Sequence, residues 1–447
     1  MNMKTILCVV TSALATMLVA SDTPEVSNVV MSQAATGRKV TITYDLGNAP
    51  DGAVVTLDIE TNKTGTATNV DSDWVSIGGA AVCNAQGDVW TKVSQGSHTI
   101  TWRPDLSWEG HKVALANGGA RAVVTAWTLD NTPDYMVVDI SAAAQQNTQK
   151  YYPSVDFIPG GLLGRPEYRT TAIVMRKIMA KDVTWTMGST TLETARNTAS
   201  EATHPVTLTN NYYIGVFEVT QAQWELIQPN RTAPSYFNNA ADRAMRPVEQ
   251  VCYNEIRNNS GTSTGGDSTY NWPADPNPSS FLGRLRTKTG IDFELPSDAQ
   301  WEFAARAGNG DTKWGDGSGI TNADEDENLQ RVARCRMTGG WVGGTSEPDQ
   351  SCGATNGTAI VGSYAPNSWG IYDMHGNVWE WCLDWFADNI SGLNGAVNTA
   401  STGTRVNRGG TYGNVAGSCR PARRRGNYPQ SRGNDLGVRL ACTAGLR

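Results

Sequence analysis

Two long segments rich in Gly, Asn and Ser, at 258–275 and 308–357, limit how much regular structure the C-terminal part of this chain can form. Two segments in this part of the chain nevertheless have a clear sequence signal for the start of a helix. The segments 220–223 and 297–300 each place a hydroxyl residue three positions before a Gln, which is the pattern of a capping box. Loops of this length in a compact domain are usually functional or held by bound ions. We therefore expect a loop-rich fold with short helices.

The N-terminal 21 residues have the pattern of a signal peptide. Lys4 gives a positive start, residues 5–20 are apolar, and small residues at 19–21 suit cleavage. The apolar stretch is shorter than the ~20 residues that a spanning helix needs, so an uncleaved anchor is the weaker alternative. We predict a secreted or periplasmic protein with no membrane segment after signal removal.

Residues 22–141 alternate in the way of a β-sandwich. The runs 40–44 and 55–59 place apolar side chains at every second position, and 135–140 is a further run rich in β-branched and aromatic residues. This pattern predicts an immunoglobulin-like or fibronectin-like domain. Residues 142–169 begin with polar residues and continue with Pro and Gly, which is the composition of a linker.

The charge of the chain limits its partners. The net charge is −7, whereas surfaces that bind nucleic acid are usually basic. The one basic stretch contains Arg420, Arg423, Arg424 and Arg425. We favour pairing of these side chains with local carboxylates and carbonyls over a site for a polyanion. We therefore predict no nucleic-acid partner.

Cysteine use fits an exported protein. Once Cys8 leaves with the signal peptide, seven of the eight cysteines remain. An odd number leaves at least one free thiol, unless two chains pair. No group of Cys and His residues has the spacing of a zinc site, and the four histidines are scattered.

Six ordered motifs run from about residue 170 to the C-terminus. One reads Gly370-Ile-Tyr-Asp-Met-His-Gly376-Asn-Val-Trp-Glu380-Trp. The others are at 185–189, 212–221, 246–248, 295–306, and 408–410 followed by 437–440. Together they resemble the sulfatase-modifying-factor family, which includes the formylglycine-generating enzyme. The resemblance implies that residues 170–447 form an α+β domain, a complex variant of the C-type lectin fold.

The enzymes of this family resemble one another in a pair of cysteines that binds copper(I) and oxidises a sulfatase cysteine to formylglycine. Laid on that pattern, the second cysteine is Cys419 and the first is Asn414. Val415 takes the place of a histidine, and Thr411 that of a serine. Copper(I) is soft and is held by two thiolates, which Asn cannot replace. The resemblance therefore implies an incomplete catalytic site, of which Cys419 and Thr411 remain.

Cys382 lies in a tryptophan-rich motif that the family fold would bring near the C-terminal segment. We hypothesise a disulfide between Cys382 and Cys419, with an inert buried thiol at Cys419 as the alternative. Trp379, Trp381 and Trp385 alternate along the same motif. We favour core packing over a sugar-stacking platform for these three side chains.

Four positions match residues that bind calcium in the family: Asp373, Gly376, Val378 and Glu380. Two carboxylates and two backbone carbonyls at a tight turn suit an ion that takes six to eight oxygens. A surface loop with two solvated acids is the alternative. A second calcium site of the family would use Asn328 and Leu329, and its expected Asp aligns near Gly353.

Function follows from the site rather than from the fold. We expect an exported protein whose C-terminal domain is a non-catalytic or divergent binding module for a protein or glycan. The alternative is a copper-dependent formylglycine-generating oxidase whose substrate is a sulfatase peptide. The residue that separates the two hypotheses is Asn414.

Overall fold

The computed structural model describes residues 23–33, 38–62, 73–110, 119–229, 234–239, 241–258, 268–340 and 356–445. The predicted signal peptide at 1–21 lies outside these residues, as does Gly353. Within them, no helix has the length and apolar character that crossing a bilayer requires.

Eight strands described between residues 23 and 127 form two antiparallel sheets. They are β1 (Glu25–Gln33), β2 (Val40–Gly47), β3 (Ala53–Asn62), β4 (Trp74–Ser76), β5 (Gln86–Gly87), β6 (Thr91–Val93), β7 (Gly96–Trp102) and β8 (Ala120–Trp127). The first sheet has the order β1-β2-β7-β5, and in the second β3 pairs with β4, β6 and β8. Alternate side chains of β2 and β3, among them Ile42, Tyr44, Leu57 and Ile59, are buried in one shared apolar core. This is the burial that a period of two predicts.

The rest of the described chain contains three further sheets. Their strands are β9 (Tyr135–Asp139), β10 (Lys150–Tyr152), β11 (Ala172–Ile178), β12 (Thr184–Met187), β13 (His204–Thr207), β14 (Tyr212–Gly215), β15 (Trp379–Trp385), β16 (Arg405–Arg408), β17 (Arg425–Asn427), β18 (Leu436–Gly437) and β19 (Ala441–Thr443). The sheet orders are β10-β9-β11-β14-β19, β12-β13 and β17-β16-β15-β18. Helix and sheet are therefore mixed, as the α+β prediction requires.

The α-helices of the described residues are short. They are α1 (Gly79–Val82), α2 (Pro104–Ser107), α3 (Gln221–Ile227), α4 (Phe281–Thr289), α5 (Asp298–Arg306) and α6 (Leu329–Val332). Both predicted capping boxes are present, at the starts of α3 and α5. In α5 the Ser297 hydroxyl accepts a hydrogen bond from the Gln300 amide at 3.1 Å, and the Gln300 side chain accepts one from the Ser297 amide at 2.9 Å. The caps replace hydrogen bonds that the first turn of a helix lacks.

The predicted linker is packed rather than extended. The run 135–140, predicted for the N-terminal sandwich, instead supplies β9 of the five-stranded sheet, where it pairs with β10 and β11. Tyr151, Ile158 and Tyr168 are all buried, so 142–169 contributes to the cores on either side. Its Pro and Gly content excludes long regular elements but does not exclude tertiary contacts.

The tryptophans of β15 lie in the core, as predicted. Trp381 is fully buried, and Trp379 and Trp385 are nearly so. The Trp381 indole donates a hydrogen bond to the Val251 carbonyl at 2.9 Å. The Arg405 guanidinium lies 3.6 Å from the centre of the Trp385 ring, which is cation–π contact distance. These rings therefore pack inside the domain and do not form an exposed platform.

The basic stretch near the C-terminus is paired locally, which confirms that prediction. Arg420 is fully buried and bonds to Glu201 at 2.9 Å. Arg424 reaches Asp298 at 2.8 Å, and the other two arginines of the stretch also have carboxylate partners. A buried guanidinium needs such partners because its desolvation is otherwise costly.

The position of β9 makes a prediction about chain fragments. A fragment of residues 170–447 lacks β9 and β10, whereas one of residues 130–447 keeps them. We expect the shorter fragment to lose about 4 kcal/mol or more of unfolding free energy, because Met136, Val138 and Tyr151 are buried in the shared core. Urea unfolding of both fragments measures the difference. Equal stability would show that β9 is dispensable for this sheet.

Candidate functional site

Two glycines determine the backbone direction of the segment that contains the predicted catalytic positions. Gly409 and Gly410 follow β16 with φ of 99° and 80°, a region that side chains with a Cβ rarely adopt. A Cβ on Gly410 would lie 2.8 Å from the Cys419 sulfur. The backbone therefore turns directly against that thiol, and the loop 411–418 closes over it.

Thr411 and Asn414 lie in this loop, close to each other. The Asn414 amide donates to the Thr411 carbonyl at 3.0 Å, and the Asn414 carbonyl accepts from the Arg336 amide at 3.0 Å. The Thr411 hydroxyl and the Asn414 side-chain carbonyl are both buried, with no hydrogen-bond partner among the residues that the structure describes. The structure thus brings Thr411 and Asn414 together in one loop, with a side-chain amide at residue 414, where the family pattern has a cysteine.

Cys419 is fully buried. Burial, and then the proximity of Cys335, raises the pKa of its thiol well above the ordinary value. The thiolate is the reactive and metal-binding form of cysteine, so a thiol held in its protonated form is a poor nucleophile and a poor ligand.

The hypothesis of a disulfide between Cys382 and Cys419 is wrong for this structure, because the two free thiols lie in different apolar clusters. Cys382 packs with Trp301 and Val406 in the core beneath α5, whereas Cys419 belongs to a separate apolar cluster. Cys382 and Cys419 therefore face different cores, although their motifs adjoin.

Of the predicted calcium ligands, Asp373 fits the role best. One of its carboxylate oxygens accepts from the Gly362 amide at 2.6 Å, and the other is buried with no partner within the described part of the chain. Glu380 differs, because Arg439 binds its carboxylate at 2.7 Å and the Trp301 indole donates to it at 2.5 Å. The oxygens of Glu380 are therefore already used.

Glu218 is a member of this site that sequence reasoning missed. Its carboxylate accepts from the Asn377 side-chain amide at 2.6 Å and from the Val378 amide at 3.3 Å. The only sequence signal is an acid set between Phe217 and Val219, both of which are buried.

Burial raises the pKa of both free carboxyl groups of this site. The pKa of Glu218 lies well above its ordinary value because of burial and then the charges of Asp373 and Glu380. Burial also raises the pKa of Asp373 to about 6. Arg439 pairs with Glu380, so the raised pKa values of Glu218 and Asp373 favour their protonated forms. A bound cation would favour the ionised forms instead.

The described residues do not contain three or more His, Cys, Asp or Glu side chains arranged as a metal centre. A calcium ion at Asp373 would therefore need backbone carbonyls, such as those of Gly376 and Val378. At the second predicted site, Asn328 uses its side-chain amide to bond the Gly319 carbonyl at 2.9 Å, and Leu329 is buried.

A family comparison agrees with the motifs. The sequence pattern of the sulfatase-modifying factor enzyme 1-like domain matches residues 170–444. The chain belongs to this family. The match runs from just before β11 to residue 444, so it includes the predicted catalytic positions 411–419 and Asp373.

Individual relatives include proteins named formylglycine-generating enzyme and one that is named inactive. The formylglycine-generating enzyme of Streptomyces coelicolor is 34% identical over 158 residues, which are 34% of this chain and 47% of that protein. The mouse inactive C-alpha-formylglycine-generating enzyme 2 is 30% identical over 159 residues, 34% of this chain and 43% of its own. The chain thus spans about half the length of these relatives. Among solved structures, Treponema denticola variable protein 1 is 25% identical with a TM-score of 0.45, covering 61% of this chain and 96% of its own.

The raised pKa of Asp373 predicts a pH dependence of stability. A carboxyl group whose pKa is higher in the folded state stabilises the fold when protonated, and this contribution is lost as pH rises through about 6. Without divalent cations, the wild type should lose roughly 2 kcal/mol more unfolding free energy than Asp373→Asn between pH 4.5 and 7.

Urea unfolding in the presence of a chelator measures this difference. Asp388→Asn changes an exposed carboxyl group just after β15 and is the matched control. Parallel pH profiles for the wild type and Asp373→Asn would contradict the assignment.

Proposed function

We propose that this chain is an exported protein whose C-terminal domain is a non-catalytic or divergent binding module for a protein or glycan. The observation that carries the proposal is Asn414 at the position of the first catalytic cysteine. Its side-chain carbonyl and the Thr411 hydroxyl are buried beside a thiol that is itself fully buried. Copper(I) at this place would lack the thiol that the family pattern has at residue 414.

Loss of activity has a parallel among the relatives. One of them, 30% identical to this chain, carries the word inactive in its name. Gly410 packs against Cys419, and Arg420 pairs with Glu201, without using the side chain of residue 414. These contacts support a domain that keeps its fold without a thiol at that position.

The predicted architecture supports a binding role. We infer an immunoglobulin-like or fibronectin-like sandwich for residues 22–141 and a complex C-type lectin variant for the matched domain. The signal-peptide pattern at 1–21 indicates export. Sandwich domains of this kind commonly accompany surface and adhesion proteins, and loop-rich folds offer loops on which recognition residues can vary.

Two exposed aromatic side chains are candidates for ligand contact. Tyr428 and Trp272 are large side chains with substantial exposure. Tyr and Trp are enriched in protein interfaces, so we expect each of them to be a candidate recognition residue.

The alternative function, a copper-dependent oxidase that matures a sulfatase, is favoured by one observation. The formylglycine-generating enzyme of Streptomyces coelicolor is 34% identical over 158 residues, and Cys419 and Thr411 remain at catalytic positions. Asn414 argues against it, because the oxidation needs the pair of thiolates.

An activity assay separates the two functions. The substrate is a sulfatase peptide with the pattern Cys-x-Pro-x-Arg, supplied with copper(I), oxygen and a thiol reductant. In protein kept reduced, so that Cys419 is a free thiol, we expect no formylglycine from the wild type and detectable formylglycine from Asn414→Cys, which restores the first thiol of the pair. Mass spectrometry of the peptide measures the product.

The matched control is Asn414→Ser, which is small and polar but supplies no thiol. It should stay inactive under the same conditions. Turnover by the wild type would overturn the proposal of a non-catalytic module and support the oxidase.

We also propose a calcium ion beside Asp373. The supporting observations are the unpartnered carboxylate oxygen of Asp373 and the excess of buried acid over the single guanidinium of Arg439. Gly376 and Val378 would add backbone carbonyls, and the charge of Glu218 faces the same segment. Glu380 would contribute through its charge, since its oxygens already bond to Arg439 and Trp301.

Calcium should therefore raise the thermal stability of the wild type at pH 7 by several degrees relative to a chelator. The gain should be small in Asp373→Asn and unchanged in Asp388→Asn. Differential scanning fluorimetry with calcium chloride or EGTA measures it, and magnesium tests selectivity. A melting temperature of the wild type that does not respond to calcium would remove the proposed site.

A further inference from the structure

Cysteines of the described residues differ in their surroundings. Six are free thiols: Cys83, Cys252, Cys335, Cys382, Cys419 and Cys442. Cys382 and Cys442 belong to two different large cores, and neither of these cores contains Cys419. Cys335 and Cys419 share one small buried cluster with Trp314, Leu329, Val332, Ala333 and Ala416. Within the described residues, Cys335 is therefore the thiol partner available to Cys419.

The two segments that carry these thiols are tightly docked. The Arg336 amide donates to the Asn414 carbonyl at 3.0 Å, which ties the residue after Cys335 to the loop before Cys419. A Cβ on Gly340 would lie only 1.7 Å from the Tyr412 carbonyl oxygen, so the backbones touch there as well. Both thiols are fully buried. The contacts hold the backbones of the two cysteine segments in a fixed relation.

We propose that Cys335 and Cys419 become linked by a disulfide in the exported protein, of which the structure shows the reduced form. This pairing rests on the proposed export, because disulfides persist in oxidising compartments. The oxidant is a disulfide, either of a small thiol or of a thiol-oxidising enzyme. One sulfur–sulfur bond forms as the two thiols lose their protons and electrons, and the oxidant's disulfide is reduced to two thiols.

The bond should form while the chain folds rather than afterwards. Exchange requires a thiolate, and burial raises the pKa of the Cys419 thiol. Cys335 and Cys419 are also both closed to solvent in the folded protein. An oxidant therefore reaches them before the segments 335–340 and 411–414 dock.

The disulfide between Cys335 and Cys419 would also affect the predicted copper site, independently of the replacement at Asn414. A disulfide leaves Cys419 without a thiolate, so it removes the one remaining sulfur ligand of the family's copper pair. The chain would then lack catalytic thiols for two independent reasons. The docked segments would also be joined covalently next to the loop 411–418.

The test is refolding of the full mature chain. The protein is unfolded and reduced, refolded in a buffer of reduced and oxidised glutathione, blocked with N-ethylmaleimide, and digested without reductant. We expect mass spectrometry to find a peptide that joins Cys335 to Cys419. Cys382→Ser should give the same cross-link, and Cys335→Ser should leave Cys419 open to labelling in denaturant.

A second measurement does not depend on how well a serine variant folds. Reductant should lower the melting temperature of the oxidised wild type by several degrees, and should have no such effect on Cys335→Ala. A maleimide-labelled Cys419 in the refolded wild type, or its linkage to Cys352 or Cys382, would overturn the pairing. A cross-link that forms in the glutathione buffer but is absent from protein isolated from cells would instead count against export.

Discussion

Buried guanidinium–carboxylate pairs connect the short helices and strands that the structure describes in this domain. Arg408 contacts both Asp298 and Glu302 of α5, at 2.5 and 3.0 Å, and so ties β16 to that helix. Arg439 joins Glu380 of β15 to the carbonyls of Gly215 and Tyr372. A guanidinium has five donors in a fixed plane, and one side chain can therefore connect several chain segments. Removal of one partner from such a pair costs about 3–5 kcal/mol, because the other charge is left buried.

The same pairs determine which acids remain for other roles. Glu380 is taken by Arg439, whereas Asp373 keeps an unpartnered oxygen and Glu218 bonds only to amides among the contacts described above. The distinction does not come from the carboxylates themselves, which are chemically alike. It comes from where the guanidinium lies, and this depends on β18 running parallel to β15.

Local chemistry could be predicted from the sequence, and long-range pairing could not. The capping boxes at Ser297 and Thr220 depend on residues three apart, so they were predictable. The alternation of apolar side chains in β2 and β3 could also be predicted from the sequence, as could the replacement of the family's first cysteine by Asn414. The sheet that β9 joins and the core that Cys419 faces depend on contacts between distant segments, and no local pattern encodes them. Glu218 was not predicted, because an acidic residue between two apolar residues does not indicate a site until its spatial neighbours are known.

The turn at Gly409 and Gly410 and the buried Arg420 together bear on how such a protein evolves. The loop between them is held at both ends. At its start, Gly410 packs directly against the Cys419 sulfur. At its end, the Arg420 guanidinium pairs with Glu193 and Glu201. Substitutions inside the loop therefore change its chemistry without releasing its anchors. After gene duplication, a copy could discard its catalytic thiol in one step and still fold, and it would then be free to acquire a new partner.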